Sequence, residues 1–243
     1  ASLTGFMVAT LVGSQGLVPA MLIALAAAAL AGIITGIGIG IFRVHPLIMT
    51  LGMSLIILGF ANVWQRWFVK TGAGVPALFR TIGSETLFGV IPYSLVLWVP
   101  LTLLIFFTLK RTGYGRQLYA IGDNPIASRL AGARSWQVIV VLYVISALLA
   151  GIAGFLISGL TNVANVNLAD TYVLPSVAAA VIGGTSIMGG RGGFAGTIVG
   201  ALILTVLGSL LTVVGFPEPV RQILFGSIIV AVAAAYTRVT AES

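Results

Sequence analysis

The seven longest intervals of this chain without an acidic residue, lysine or arginine are 1–42, 44–65, 86–109, 135–169, 171–190, 192–217 and 222–237. A helix needs about 20 apolar residues to cross a bilayer, and most of these intervals reach that length. A segment surrounded by lipid has no water to satisfy its backbone, so it crosses as a helix or in a closed barrel. The intervals show no alternation with period two and run in blocks of Ala, Leu, Ile and Gly too long for barrel strands. The expected fold is therefore all-α: a polytopic membrane helix bundle with interrupted helices and one short cytoplasmic helix. Only 7% of the residues are charged and 59% are hydrophobic, where a soluble domain carries about 25% charged residues.

Crossings are expected at about 17–42, 46–66, 89–109, 136–158, 193–214 and 219–237, with a short apolar piece at 173–188. Residues 1–12 cover about 18 Å as a helix, less than the hydrocarbon thickness, and read as part of a longer crossing. Helix-hostile Gly189-Gly190-Arg191-Gly192-Gly193 and Gly215-Phe216-Pro217-Glu218-Pro219 mark joints. If residues 110–134 face the cytoplasm, alternation gathers Arg43, Lys110, Arg111, Arg116, Arg129, Arg134, Arg191 and Arg238 on that side. These are eight of the twelve basic residues, as retention of positive charge inside requires. The net charge of +7 thus reads as a topology signal rather than a nucleic-acid footprint. The whole chain is expected to form one transmembrane domain with a cytoplasmic loop at 110–134.

The composition excludes several chemistries. There are no cysteines and a single histidine, His45, which leaves no thiolate or histidine-cluster metal site. No paired carboxylates or Ser-His pair suggest an active site. The spans also lack an Asp, Glu, Lys or His placed to couple movement to an ion. Gly36-Ile37-Gly38-Ile39-Gly40 follows no strand and is no phosphate loop. Gly32, Gly36 and Gly40, four apart, instead predict close approach of a second helix.

One polar island interrupts this pattern, GYGRQLYAIGDNPIASRLAGA at 113–133. Within it, residues 123–132 carry the signs of a single short helix: Asn124 to cap it, Pro125 at its first position and Gly132 to close it. Two turns are marginal alone and need support from the rest of the protein or from a partner. Ile126, Arg129 and Leu130 share one face, a small apolar ridge flanked by a cation. From these residues alone, a helix on the lipid surface and a helix seated in another protein are both open. The run 172–193 is similarly two-sided. Pro175, Gly183-Gly184 and Gly189-Gly190 break it, either as an ordinary short helix with loose ends or as interrupted backbone lining a solute pathway.

The segment GRQLYAIGDNPIASRLAGA resembles the coupling loop of the permeases of ribose-type, ATP-driven sugar importers, whose pattern is close to GRxLYAxGxNxxAAxxxGI. Pro46-Leu47-Ile48-Met49-Thr50-Leu51-Gly52 is similar to the family's PFIxTLG. Ile182-Gly183-Gly184-Thr185-Ser186 with Gly189-Gly190-Arg191-Gly192 is similar to its IGGTSxxGGRG. The chain departs from the pattern at Val173, where an acidic residue is common, and at Leu58, where an arginine is. The resemblance implies a stretch of chain preceding residue 1. It also implies a permease subunit of the bacterial inner membrane, paired with a second permease, served by a periplasmic sugar-binding protein and driven by ABC ATPase subunits. ATP and Mg would then bind in the partner ATPase, with no cofactor held by this chain. Gly115, Arg116, Gly122, Asn124, Pro125, Ala127 and Gly132 match the coupling motif, and Arg129 lies on the ridge beside them.

A neutral sugar needs hydroxyl partners and an aromatic face. Thr50, Asn62, Trp64 and Gln65 are candidates in the second span, with Pro175, Ser176, Gly183, Gly184 and Thr185 in the broken run. Trp64 and Trp67 equally suit an interfacial belt. Arg66, Lys70, Arg80 and Glu85 are candidates for pairing with the binding protein. The alternatives are a branched-chain amino-acid permease of the same superfamily, which would want charge partners for a zwitterion, and a non-transporting membrane scaffold.

Overall fold

The computed structural model describes residues 1–68, 75–87, 89, 91–186, 190 and 192–241. Among them the helices are α1 Ser2–Gln15, α2 Leu17–Gly40, α3 Pro46–Phe68, α4 Ala77–Ser84, α5 Tyr93–Arg111, α6 Gly113–Asp123, α7 Pro125–Leu130, α8 Ser135–Thr161, α9 Val173–Ile182, α10 Phe194–Val213 and α11 Glu218–Ala241. A two-stranded hairpin, β1 Thr86–Leu87 and β2 Ile91–Pro92, pairs Thr86 with Pro92 and Leu87 with Ile91. The third crossing therefore begins at Tyr93 rather than near 89, because this hairpin takes up the apolar residues before it. Among the described residues, α2, α3, α5, α8 and α10 are long and apolar enough to cross a membrane. The chain is a multi-pass membrane protein. Its apolar surface agrees: Leu55, Leu103 and Val206 are among many exposed large hydrophobic side chains, a surface that only lipid or another membrane chain can cover.

Contacts divide the chain into two compact units, residues 1–108 with 131–170, and residues 109–130 with 171–243. In the first unit α1 is the most enclosed element. Leu3, Phe6, Met7, Val8 and Leu11 form a core with Ala20 and Ala24 of α2, Phe79 of α4 and Phe155 of α8. Phe79 and Phe155 stack with centroids 5.0 Å apart.

The most extensive pairing runs between α2 and α8, and the glycine stripe explains it. A Cβ on Gly32 would lie 2.7 Å from the Tyr143 carbonyl oxygen, one on Gly36 2.7 Å from Val140 Cα, and one on Gly40 3.1 Å from the Trp136 carbonyl oxygen. Lipid tails are as apolar as leucine, so such close backbone approach is what holds two helices together in a bilayer.

In the second unit α9 packs on α10 and α11. Ala178, Ala179, Leu204 and Phe225 form its core. Gly200 of α10 lies against the Ala179 carbonyl, and Gly183 meets Gly196. The short apolar piece is helical only to Ile182. Gly183 ends it and Gly184, at φ 86°, takes the left-handed conformation that turns the chain away.

Candidate functional site

The polar island forms two helices, not one. α6 was hidden by its three glycines in eleven positions, Gly113, Gly115 and Gly122, each a poor helix former. The signals for it are the cap at Thr112 and the spacing of Tyr114, Leu118 and Ile121. Thr112 Oγ1 accepts from the Gly115 N–H at 3.3 Å, and Ile121 is buried. Gly115 sits directly against the Leu109 carbonyl at the end of α5, so the chain folds back where no Cβ would fit. Burial pushes the Tyr114 phenol above its ordinary range.

α7 follows the capping logic residue by residue. Asn124 Oδ1 accepts from the N–H groups of Ile126 at 3.0 Å and Ala127 at 2.9 Å. Pro125 opens the helix, and Gly132, at φ 86°, lies just past its end. Ser128 is buried beneath it. The ridge above is bare: Ile126 is 71% exposed and Leu130 86%, with Arg116, Ala127 and Arg129 also facing outward. Two large aliphatic side chains this exposed on a six-residue helix form an unpartnered surface.

The far end of α6 touches the loop between α9 and α10. A Cβ on Gly122 would come within 2.9 Å of the Gly190 nitrogen, and one on Gly190 within 3.0 Å of the Gly122 carbonyl oxygen. Gly192 lies against Thr185, where a Cβ would meet Thr185 Cα at 2.8 Å. Thr185 and Thr197 approach through their hydroxyls at 3.4 Å. Gly189 and Arg191 of this motif lie outside the described residues.

The residues considered for a solute pathway are distributed between the units. In the first, Thr50 donates to the Pro46 carbonyl of its own helix at 2.9 Å. Asn62 likewise donates to Leu58 at 2.9 Å, Gln65 is exposed, and the Trp64 indole donates to Thr10 Oγ1 at 3.1 Å. In the second, Pro175 and Ser176 line a cleft of about 510 Å³ with Thr205 and Thr212 of α10 and Glu218 and Arg221 of α11. Gly183, Gly184 and Thr185 belong to the α9–α10 turn rather than to the cleft lining. Sequence reasoning did not single out the α10 and α11 contributors, because hydroxyls at helical spacing within an apolar run look like ordinary span residues.

Of the charges considered for pairing with a binding protein, Arg80 donates to Asn162 Oδ1 through Nε at 3.1 Å and Nη2 at 2.9 Å. Glu85 accepts from Thr81 at 3.2 Å. Arg66 is exposed, and Lys70 lies outside the described residues. Among the described residues no group of three metal-ligating side chains comes together.

The chain is thus a multi-pass helical protein with a bare, capped helix on the polar loop after its third long apolar helix. Over residues 1–233 the chain matches the permease component of branched-chain amino acid transport systems, and it belongs to that family. It is 35% identical over 217 residues to the ribose import permease of Escherichia coli K12, covering 88% of this chain and 67% of that protein. It is 31% identical over 207 residues to the fructose import permease of Rhizobium meliloti, covering 83% and 58%. To the galactose/methyl galactoside import permease of Haemophilus influenzae it is 30% identical over 222 residues, covering 88% and 65%. The chain spans roughly three-fifths to two-thirds of the length of these relatives. No solved structure matches it.

Proposed function

We propose that the chain is the permease subunit of an ATP-driven importer for a neutral monosaccharide in the bacterial inner membrane. It would pair with a second permease and receive its solute from a periplasmic binding protein. The observation that carries this reading is the α7 ridge: apolar, capped at Asn124 and exposed on a loop that the chain joins directly to two long apolar helices. A groove of an ATPase subunit would cover Ile126 and Leu130, with Arg116 and Arg129 at its rim. ATP binding in that partner would favour one arrangement of the spans through contacts made to this loop alone. The ATP and Mg chemistry belongs to the partner.

The named functions of the relatives favour a sugar, whereas the family description keeps a branched-chain amino acid as the second reading. A zwitterion needs a separate cation and anion. Among the described residues of the second unit, Arg221 and Glu218 already hold each other at 2.6 Å, which favours a neutral solute. The test is uptake of labelled ribose, fructose, galactose and leucine by membrane vesicles carrying the complete assembly. ATP-dependent entry of a sugar is the expected result. Entry driven by a proton gradient without the ATPase overturns the mechanism, and entry of leucine alone overturns the substrate class. Undiminished sugar uptake in a strain lacking this chain would indicate a scaffold.

A further inference from the structure

We propose that the cleft among α9, α10 and α11 is a binding subsite for a neutral polyhydroxyl solute, with Arg221 as its specificity-determining donor. This rests on the sugar reading above and adds the place and the chemistry of recognition. The cleft lies at the end of α10 remote from the coupling loop. Gly190, which touches α6, is four residues before the start of α10, while Thr212, Glu218 and Arg221 cluster at its other end. Twenty helical residues separate those ends, about 30 Å at 1.5 Å per residue, the thickness of a bilayer core. A solute arriving from the side opposite the ATPase would reach this end of the second unit.

The lining chemistry selects donors. Ser176 Oγ donates to the Val173 carbonyl at 2.8 Å, and Thr205 Oγ1 to the Ala201 carbonyl at 2.8 Å. Each hydroxyl has committed its proton to its own helix, so its oxygen offers only acceptor lone pairs to the cleft. Thr212 Oγ1 donates to Gly208 at 2.8 Å and accepts from Arg221 Nη1 at 2.8 Å. A wall of acceptors suits a molecule carrying several O–H groups.

Arg221 supplies the complement. Its Nη2 holds Glu218 at 2.6 Å and its Nη1 holds Thr212, so the guanidinium is fixed in place. Its Nε is buried with no partner among the described residues, while Nη1 and Nη2 each carry a second N–H on a side chain that lines the cleft. A sugar ring or hydroxyl oxygen would accept from these remaining Nη N–H groups. Glu218 also accepts from Gln222 at 3.5 Å, leaving the carboxylate engaged on both oxygens. With the pair neutralised locally, neither an anionic headgroup nor a zwitterion gains from the site. Leu204 and Phe225 give the cleft an apolar base for the C–H face of a sugar ring.

The test uses the absence of cysteine from the chain. Ser209→Cys, on the cleft lining, is labelled with a thiol reagent in vesicles holding the complete transporter, with and without saturating ribose, fructose, galactose or leucine. Protection of the cysteine by the sugar that the vesicles take up, and not by leucine, is expected. Uptake by Thr205→Val and Arg221→Leu is then compared for that sugar and its deoxy analogue. The wild type should prefer the full sugar, and each variant should lose about fivefold or more of that preference, a change that a merely misfolded variant does not produce. Sugar uptake by the wild type with labelling indifferent to every sugar overturns the subsite and leaves the importer reading intact. Variants that keep the wild-type preference also overturn it, and protection by leucine alone overturns both.

Discussion

At the residue scale the clearest decisions are steric. Alanine is a better helix former than glycine by about 1 kcal/mol, so replacing a mid-helix glycine gains or loses stability according to what the new methyl meets. Gly52 in α3 has nothing within 4 Å of a built Cβ, whereas Gly36 in α2 would meet Val140 Cα at 2.7 Å. Gly52→Ala should hold or raise the melting temperature of the detergent-solubilised protein, and Gly36→Ala should lower it, since main-chain overpacking costs about 1–3 kcal/mol. Asn124 poses a second question of the same kind. Removing its Oδ1 strands the N–H groups of Ile126 and Ala127 at a cost of about 1 kcal/mol. Asn124→Ala should therefore reduce co-purification of the ATPase subunit about fivefold, while Asn124→Ser, which retains a cap, should largely preserve it.

At the scale of elements, the contact between α6 and the α9–α10 loop would, on the proposed function, be the joint through which a push on the coupling loop reaches the cleft helices. Gly122→Ala forces that loop to shift because the new methyl would overlap the Gly190 backbone. The assembled transporter should go on hydrolysing ATP while sugar uptake falls about threefold or more; the two rates measured on one preparation check this. Much of the element list was readable from the chain. Uninterrupted apolar runs mark α2, α3, α8 and α10 because lipid imposes one requirement along their whole length, and the Asn124-Pro125 pair marks α7 because a cap is a local device. α6 was not readable, since its helicity depends on a fold back onto Leu109 that overrides three glycines. The cleft was half readable. Pro175 and Ser176 stand out in a broken run, but Thr205, Thr212 and Arg221 become neighbours only once α9, α10 and α11 pack.

At the scale of the whole molecule, the division of basic residues predicts sidedness. With no native cysteine to give background, Ile126→Cys should resist an impermeant thiol reagent in intact cells and react in inverted vesicles, and Phe216→Cys should do the reverse. Both positions are exposed, at 71% and 42%, so a silent result would come from the membrane barrier and not from burial. The α2–α8 seam has a mechanical consequence for this arrangement. Where two rods lie main chain to main chain, as at Gly32, Gly36 and Gly40, little can yield between them, and slipping or rolling there would bring backbone against backbone. α8 leaves the coupling loop within a few residues of Gly132, and a displacement delivered at its root should reach α2 undiminished, as a load passes along a doubled beam.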